Sequence, residues 1–281
     1  MSEDNTIIPI DHEAYQKTQA QLDAIEQEIK ATQPLTSQRL DVSSLKEHYA
    51  EGNSRYFLMG IDELATRYSK IRKTRGDGNC YYRSFLYNLC ESLLTSNQPS
   101  ERARVLQYVK DSNRFVTSVG GYDEMAIEVF YESLVELLEG LESIEALHAE
   151  LTQENATSDY CTWYLRVLTA TFLKADPERF MPYLEDDCYD IATFCQKQIE
   201  PMGKECSMVQ VLALAEAFQV RVDIEYLDGH EFTPKADGGS GLSKHSFGPE
   251  TATTTLTLLY RPGHYDILYY GMRHEKEHFP P

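Results

Sequence analysis

The sequence lacks the features that mark membrane-spanning and secreted proteins. No apolar run approaches the roughly 18–20 residues that span a bilayer. The N-terminal stretch 1–5 is acidic and polar, and it lacks the basic and apolar regions of a signal peptide. We therefore expect a protein of the cytoplasm or nucleus that has no membrane partner.

Cysteine is scarce, with six residues in 281, and no two of them form a C-x-x-C pair. They are Cys80, Cys90, Cys161, Cys188, Cys195 and Cys206. Disulfide scaffolds and zinc modules need denser or regularly spaced cysteines, so neither is indicated. Reduced thiols without a bound metal are the simplest expectation.

Basic residues are also few. The chain has 26 Lys and Arg against 45 Asp and Glu, which gives a formal net charge of −19. A chain this acidic is a poor general binder of phosphate backbones, so we expect no nucleic-acid partner. The acidity suits a basic protein partner, or it only keeps the protein in solution.

The order of the hydrophobic patterns predicts an α+β fold. Apolar residues recur at a helical spacing from Cys80 onward, and short helices are expected in 42–70. Apolar and polar residues then alternate in 220–226 and again in two segments around the turn Arg261-Pro262-Gly263, as in half-buried strands. The stretch 228–253 is rich in Gly, Ser, Thr and Pro and is expected to be a mobile surface loop.

The segment 11–31 is predicted to be a polar helix that ends before Pro34. Four apolar residues draw one narrow stripe along it, namely Tyr15, Leu22, Ile25 and Ile29. The stripe is either packed on the rest of the protein or left free as a surface for a partner.

Cys80 is a candidate nucleophile. It follows the turn Gly76-Asp77-Gly78-Asn79 and opens a helical pattern. A helix N-terminus favours the thiolate, which is the reactive form of a group with a pKa of about 8.5. Its unpaired amides could also form an oxyanion hole. The alternative is an inert buried cysteine at a helix start, but the glycine-rich turn favours the nucleophile.

A nucleophilic cysteine needs a base, and His264 is the best-placed histidine. It begins a predicted strand directly after a rigid turn, whereas His48 and the other histidines lie in helical, polar or loop segments. Asp266 is two residues further on, and alternate residues of a strand face the same side. Its carboxylate can therefore orient the imidazole. A purely structural histidine is the alternative, and the sequence does not show whether residues 80 and 264 meet.

Two segments resemble the motifs of ovarian-tumour-domain (OTU) cysteine proteases. The segment 77–83, D-G-N-C-Y-Y-R, is similar to their nucleophile motif, and 259–269, L-Y-R-P-G-H-Y-D-I-L-Y, is similar to the histidine motif of the otubain subfamily. The segments 71–75, 158–160, 199–202 and 225–226 also resemble otubains. Tyr81 stands where this family usually has Phe, and 228–253 differs from the otubain stretch.

The resemblance implies a deubiquitinase that hydrolyses the isopeptide bond of polyubiquitin, with a preference for lysine-48-linked chains. It implies Cys80 as nucleophile, His264 as base, Asp266 as the group that orients His264, and Asp77 as part of the oxyanion region. The implied fold is papain-like, a small central β-sheet flanked by helices. No metal or organic cofactor is implied.

The resemblance also implies a second role, in which the N-terminal arm binds ubiquitin-charged E2 conjugating enzymes and blocks ubiquitin transfer. Contacts to ubiquitin or E2 are expected at Tyr15, Leu22, Ile25, Ile29 and Tyr160. The expected organisation is a monomer with a partly disordered arm at 1–40, a catalytic domain at 41–271 and a polar tail at 272–281. A cysteine peptidase of unrelated specificity is a third, weaker alternative.

Overall fold

The computed structural model describes residues 12–50, 55–96, 98–153, 156–184, 190–231 and 241–271, with side chains from residue 16 onward. The α-helices in these ranges are α1 (His12–Thr32), α2 (Leu45–His48), α3 (Arg55–Arg67), α4 (Cys80–Thr95), α5 (Pro99–Ser118), α6 (Glu124–Glu139), α7 (Ile144–Thr152), α8 (Ala156–Ala175), α9 (Pro177–Phe180), α10 (Ile191–Phe194) and α11 (Met208–Phe218). None of these helices is long and apolar enough to cross a membrane.

The strands of the described ranges form one sheet. They are β1 (Thr36–Asp41), β2 (Tyr68–Thr74), β3 (Arg221–Tyr226), β4 (Lys244–Phe247), β5 (Thr255–Arg261) and β6 (His264–Tyr270), in the order β1-β2-β6-β5-β3-β4. Among these described strands the β3–β5 pair is parallel, and the other pairs are antiparallel. The last of them in the sequence, β6, therefore lies inside the sheet between β2 and β5.

Helices cover both faces of the sheet because successive side chains of each inner strand point to opposite sides. On β6, Ile267 faces the larger core under α4, α5, α6, α8 and α11, whereas Leu268 faces a smaller core under α2 and α3. Helix α4 lies between the sheet and the other helices and is buried along most of its length. The predicted α+β arrangement, a small central sheet flanked by helices, is confirmed.

Three strands were not predicted from the sequence. Strand β1 lies almost wholly in the stretch 1–40 that was assigned to the arm, and the end of 42–70, predicted to be helical, opens β2. Strand β4 lies in 228–253, which was predicted to be a mobile loop, and its residues are mostly exposed at the sheet edge. Backbone pairing with β3 stabilises β4 without the apolar alternation that marks a strand in sequence. Residues 232–240 and the predicted tail 272–281 lie outside the described residues.

Candidate active site

Polar groups within the turn that precedes α4, and in the helix itself, help to fix its shape. We call residues Gly76–Asn79 the glycine turn. Asp77 Oδ1 accepts a hydrogen bond from the Asn79 amide at 3.0 Å, and Asp77 Oδ2 accepts one from Arg83 Nη2 at 2.6 Å. The Asp77 carboxylate is thus occupied in shaping the turn.

Cys80 is the first residue of α4, as predicted, but it is also packed against the protein core. It is 3% exposed and belongs to the larger hydrophobic cluster together with Tyr81 and Phe85. The expectation that it lies at a turn–helix junction is confirmed, and its side chain is also packed in the core. The first amides of a helix have no partner within the helix, so the start of α4 offers hydrogen-bond donors next to Cys80.

His264 and Asp266 lie on one side of β6, as their spacing predicts. The His264 Nε2 atom is 2.9 Å from Asp266 Oδ1, and the Asp266 side chain is fully buried. With Nε2 directed at the carboxylate, the other ring nitrogen is left for a different partner. A methyl group in place of a Gly76 hydrogen would lie 3.7 Å from His264 Nδ1, so this nitrogen faces the glycine turn.

Asp266 has more partners than the sequence suggests. Its Oδ1 also accepts a hydrogen bond from the Thr74 amide at 3.0 Å, and its Oδ2 accepts two from the Arg261 guanidinium, at 3.1 and 2.6 Å. Burial raises the pKa of Asp266, but His264, Arg261 and the Thr74 amide lower it more, to about 2. Asp266 is therefore a carboxylate at neutral pH. Arg261, for which the sequence predicts no role in the site beyond its place in the turn and the histidine motif, holds one side of it.

The imidazole connects the two parts of the site. Burial lowers the pKa of His264, but the Asp266 carboxylate, followed by a hydrogen bond to Cys80 and the Cys80 charge, raises it more, to about 10. The structure thus brings residues 80 and 264 together, which the sequence left open. Since both neighbours favour the charged ring, His264 carries a proton at neutral pH while it faces the thiol.

A cleft of about 690 Å³ opens beside His264. Its walls come from the end of α1, the β5–β6 turn, and helices α2 and α3. They include Gln33, His48, Tyr49, Phe57 and Arg261. His48 was set aside in the sequence analysis, yet it lines this cleft, where burial and then Arg261 lower its pKa. In the described ranges no group of three or more His, Cys, Asp or Glu side chains could hold a metal ion.

The residues predicted to contact partners lie on α1 and α8. Leu22 and Ile25 on α1 are 55% and 47% exposed, and Ile29 is half-buried. The Tyr15 side chain lies outside the described residues. Tyr160 is half-buried on α8, where it packs edge-to-face against Phe130 at 5.0 Å between ring centroids. The stripe therefore faces solvent at Leu22 and Ile25 rather than packing on the domain.

The arm ends in direct contact with the glycine turn. The Gln33 side chain accepts a hydrogen bond from the Gly76 amide at 2.9 Å, and the Gln33 carbonyl accepts one from Arg75 Nε at 2.8 Å. Leu35 is buried, and its carbonyl accepts a bond from the Arg75 amide at 3.0 Å. Residues 33–35 therefore support the site, although the sequence analysis placed them in the arm.

A cysteine at a helix N-terminus, an imidazole facing it and a buried carboxylate behind the imidazole are the groups that a cysteine peptidase needs. The sequence from 28 to 270 matches the family model described as Peptidase C65 Otubain. This chain belongs to the otubain family.

Individual relatives agree with the family match. The chain is 38% identical over 253 residues to "Ubiquitin thioesterase OTUB1" of Homo sapiens, covering 89% of this chain and 88% of the relative. It is 33% identical over 245 residues to "Ubiquitin thioesterase OTUB2" of Homo sapiens, covering 85% of this chain and 97% of the relative. A solved h/ceOTUB1–ubiquitin aldehyde–UBC13~Ub complex has a similar chain, with a TM-score of 0.81, 30% identity, and coverage of 92% of this chain and 99% of that chain.

Proposed function

We propose that this protein is a deubiquitinating cysteine protease that hydrolyses isopeptide bonds of polyubiquitin, with a preference for lysine-48-linked chains. The observation that carries the proposal is the imidazole of His264, held by Asp266 at 2.9 Å and interacting with Cys80 at the start of α4. The relatives named as ubiquitin thioesterases support the choice of substrate.

The first chemical step in this proposal is attack by the Cys80 thiolate on the carbonyl carbon of the C-terminal glycine of ubiquitin. A carbon–sulfur bond forms, and the carbonyl electron pair moves to oxygen. The Cys80 amide at the start of α4 stabilises this oxyanion, together with amides of the glycine turn other than those of Gly76 and Asn79, which already donate to Gln33 and Asp77. Asp77 contributes by holding the turn through Asn79 and Arg83.

The second step breaks the carbon–nitrogen bond. His264 donates its proton to the departing lysine amine, and an acyl-enzyme thioester remains on Cys80. Water then attacks the thioester with His264 as base, which restores the thiol and releases the ubiquitin carboxylate. The cleft beside His264 is where the lysine side chain enters, because the atom that receives the proton must lie within reach of the imidazole.

A panel of diubiquitins of every linkage tests the proposal. We expect the wild-type protein to cleave the lysine-48-linked dimer fastest, and Cys80→Ala to cleave none. Equal rates for all linkages would remove the linkage preference. Absence of cleavage by a folded wild-type protein across the whole panel would contradict the proposed activity.

A second, non-catalytic function is proposed for α1, namely inhibition of ubiquitin transfer by an E2 enzyme charged with ubiquitin. The exposed side chains of Leu22 and Ile25 favour it, since an amphipathic helix can bury such a stripe against a partner. The solved complexes of related chains contain UBC13~Ub or UBCH5B~Ub. This function does not need the thiol, so the two activities are separable.

Point variants test this function better than removal of residues 1–35, because Gln33 and Leu35 support the glycine turn. The double change Leu22→Asp and Ile25→Asp is expected to abolish inhibition of ubiquitin-chain synthesis and to leave diubiquitin cleavage above half of wild type. The matched control, Ala20→Asp with Ala24→Asp, adds the same charge at exposed positions on the opposite face of α1. If the Leu22→Asp, Ile25→Asp variant inhibits chain synthesis as strongly as the Ala20→Asp, Ala24→Asp control, the proposal is contradicted.

Cys80→Ala completes the design of this assay. It is expected to inhibit chain synthesis as well as the wild-type protein does, because binding through α1 does not use the thiol. Loss of inhibition in folded Cys80→Ala would mean that chain cleavage alone causes the effect.

We further propose that the protein is a monomer located in the cytoplasm or nucleus. Sedimentation of the purified chain at micromolar concentration and imaging of a tagged copy test these two properties. A stable dimer, or a signal confined to a membrane compartment, would contradict them.

A further inference from the structure

Arg166 is a buried arginine on α8 that hydrogen-bonds to two separate segments beneath Cys80. Its Nη2 atom lies 2.8 Å from the Gly78 carbonyl oxygen, 2.8 Å from Asn79 Oδ1 and 2.7 Å from the Lys204 carbonyl oxygen. Its Nη1 atom donates to the Ile199 carbonyl at 2.9 Å. One planar group thus connects the glycine turn to the segment 199–204.

The two segments also contact each other directly. The Gly203 amide donates to Asn79 Oδ1 at 2.9 Å, so that this oxygen is shared between Gly203 and Arg166. Gly78 has φ +75°, and a methyl group on it would lie 2.2 Å from the Gly203 carbonyl oxygen. The glycine turn is therefore fitted closely against 199–204, and Arg166 closes the contact from below.

The charge of Arg166 is not neutralised by a hydrogen-bonded carboxylate within the described part of the chain, because its acceptors are carbonyl-type oxygens. Its guanidinium carbon lies 4.5 Å from the centre of the Tyr82 ring. Burial lowers the pKa of Arg166, while Tyr82, Cys206, Asp77 and Cys80 act in the opposite direction. A buried positive charge next to the start of α4 favours an anion there.

We propose that Arg166 is a positioning residue for Cys80, whose forked guanidinium fixes the glycine turn and whose charge favours the reactive thiolate. The inference rests on the proposed role of Cys80 as nucleophile. It assigns to α8 a role that the sequence motifs do not contain. A lysine keeps the positive charge but lacks the planar guanidinium with its several hydrogen-bond donors. Substitution by lysine therefore separates the effect of the charge from the effect of the hydrogen bonds to the glycine turn.

Several other ionisable groups act on the thiol or on Arg166 and must be unchanged in the comparison. They are Asp77 in the glycine turn, Tyr82 on α4, Cys206 before α11, and His264, Tyr265 and Asp266 on β6. None of them is altered in the variants below, so a difference in pH dependence reports on Arg166.

The experiment compares Arg166→Met and Arg166→Lys with the wild-type protein. Leu134→Ala is the matched control, because Leu134 is buried in the core on α6 and is not one of the residues that hydrogen-bond to the glycine turn. Two quantities are measured for each protein. The first is the pH midpoint of Cys80 alkylation by iodoacetamide, followed on the Cys80 peptide by mass spectrometry, and the second is kcat/KM on lysine-48-linked diubiquitin per folded molecule.

Arg166→Met is expected to raise the alkylation midpoint by about one pH unit, because a neighbouring positive charge is lost. Its kcat/KM is expected to fall about a hundredfold, as displacement of a reacting group by about 1 Å does. Arg166→Lys is expected to keep the wild-type midpoint and to lose about tenfold in kcat/KM. Leu134→Ala is expected to melt at a lower temperature with both quantities unchanged.

A wild-type midpoint and wild-type kcat/KM in folded Arg166→Met would overturn the proposal. If Arg166→Met does not fold, Arg166→Lys tests the positioning role instead. A kcat/KM of Arg166→Lys equal to that of Leu134→Ala would overturn that role. The alkylation measurement needs no ubiquitin substrate. A wild-type protein that cleaves no diubiquitin would therefore contradict the proposed function, whereas the alkylation midpoints would still test Arg166.

Discussion

The two halves of the candidate site are built differently. The glycine turn is held by groups from distant parts of the chain, namely Gln33, Arg166 and Gly203. The imidazole of His264 is held by Asp266, two residues away on the same strand, and Arg261 supports that carboxylate from the adjoining turn. The histidine half is therefore mostly local in sequence, and the cysteine half depends on the whole fold.

The difference has a consequence for mutagenesis. A change in the histidine half acts on one ion pair or one proton, and its effect follows from the chemistry of that group. A change in the cysteine half displaces a turn that several segments hold, so distant substitutions reach the thiol. The following changes test this contrast, beginning with the largest effect.

The largest loss is expected for Cys80→Ala and Cys80→Ser. Without the thiolate no acyl-enzyme forms, so kcat/KM on lysine-48-linked diubiquitin is expected to fall by at least about a thousandfold. Because Cys80 is packed in the core, Cys80→Ala is also expected to reduce the free energy of unfolding by about 1 kcal/mol. Cys90→Ala, at a fully buried position on the same helix, is the control for burial. Near-wild-type turnover by Cys80→Ala would reject the nucleophile.

The next effects separate the two members of the histidine half. His264→Ala is expected to lower kcat/KM about tenfold to a hundredfold more than Asp266→Asn, because the imidazole transfers the proton while the carboxylate only orients and stabilises it. The measurement is kcat/KM for both folded variants under one set of conditions. A larger loss in Asp266→Asn would point to a different base.

The pH dependence tests the same ion pair. The pKa of His264 is about 10, because Asp266 and Cys80 outweigh the effect of burial. Since the folded pKa lies above 6.5, this pairing stabilises the protein fully below pH 6.5 and is lost as the pH rises through about 10. We expect kcat/KM to fall on the alkaline side near pH 10, and to fall at a lower pH in Asp266→Asn. If kcat/KM falls at the same alkaline pH in the wild type and in Asp266→Asn, Asp266 does not raise the pKa of His264.

Arg261→Met is expected to act mainly on stability. It leaves the buried Asp266 carboxylate without its guanidinium partner, which costs about 3 kcal/mol in unfolding free energy. The pKa of Asp266 is about 2, so its interactions stabilise the protein above about pH 3.8 and are lost as the pH falls towards 2. Urea unfolding at pH 7 and pH 3 measures the difference, which is expected to be larger at pH 7. Equal stability of wild type and variant at pH 7 would show that Arg261 is dispensable.

The smallest effect is expected for Tyr81→Phe. The Tyr81 ring packs edge-to-face on Tyr265 at 5.2 Å between centroids, and its hydroxyl makes a long bond of 3.4 Å to the Val211 carbonyl. The substitution keeps the ring, so we expect unchanged kcat/KM and a loss of at most about 1 kcal/mol in unfolding free energy. A large loss of activity would mean that this hydroxyl supports the cysteine half.

Much of the fold could be predicted because its strands β3, β5 and β6 alternate apolar and polar residues. Strand β2 could not be predicted in this way, because the buried residue Arg72 is charged and interrupts the apolar pattern of the strand. In the structure Arg72 is 2% exposed, with Glu91 at 3.4 Å and its guanidinium carbon 4.2 Å from the centre of the Tyr87 ring. Hydrophobic periodicity does not register a charged side chain whose partners come from other elements.

The same limit applies to the site. His264 and Asp266 could be paired from the sequence because a strand places alternate residues on one side. Cys80 could be recognised because its glycine turn is contiguous with it. Arg166 gave no signal, because its four oxygen partners lie 33 to 88 residues away and only the packing of α8 brings them within reach.

The position of β6 inside the sheet bears on how the molecule is made. Its Asp266 pairs with the Thr74 amide across 192 residues, and its neighbours β2 and β5 lie far apart in the sequence. Such non-local pairing slows folding, and during synthesis the inner sheet stays incomplete until residue 270 has left the ribosome. A nascent chain thus carries its proposed nucleophile long before it carries the base. We therefore expect no proteolytic activity before the strand that carries His264 has been made and has entered the sheet.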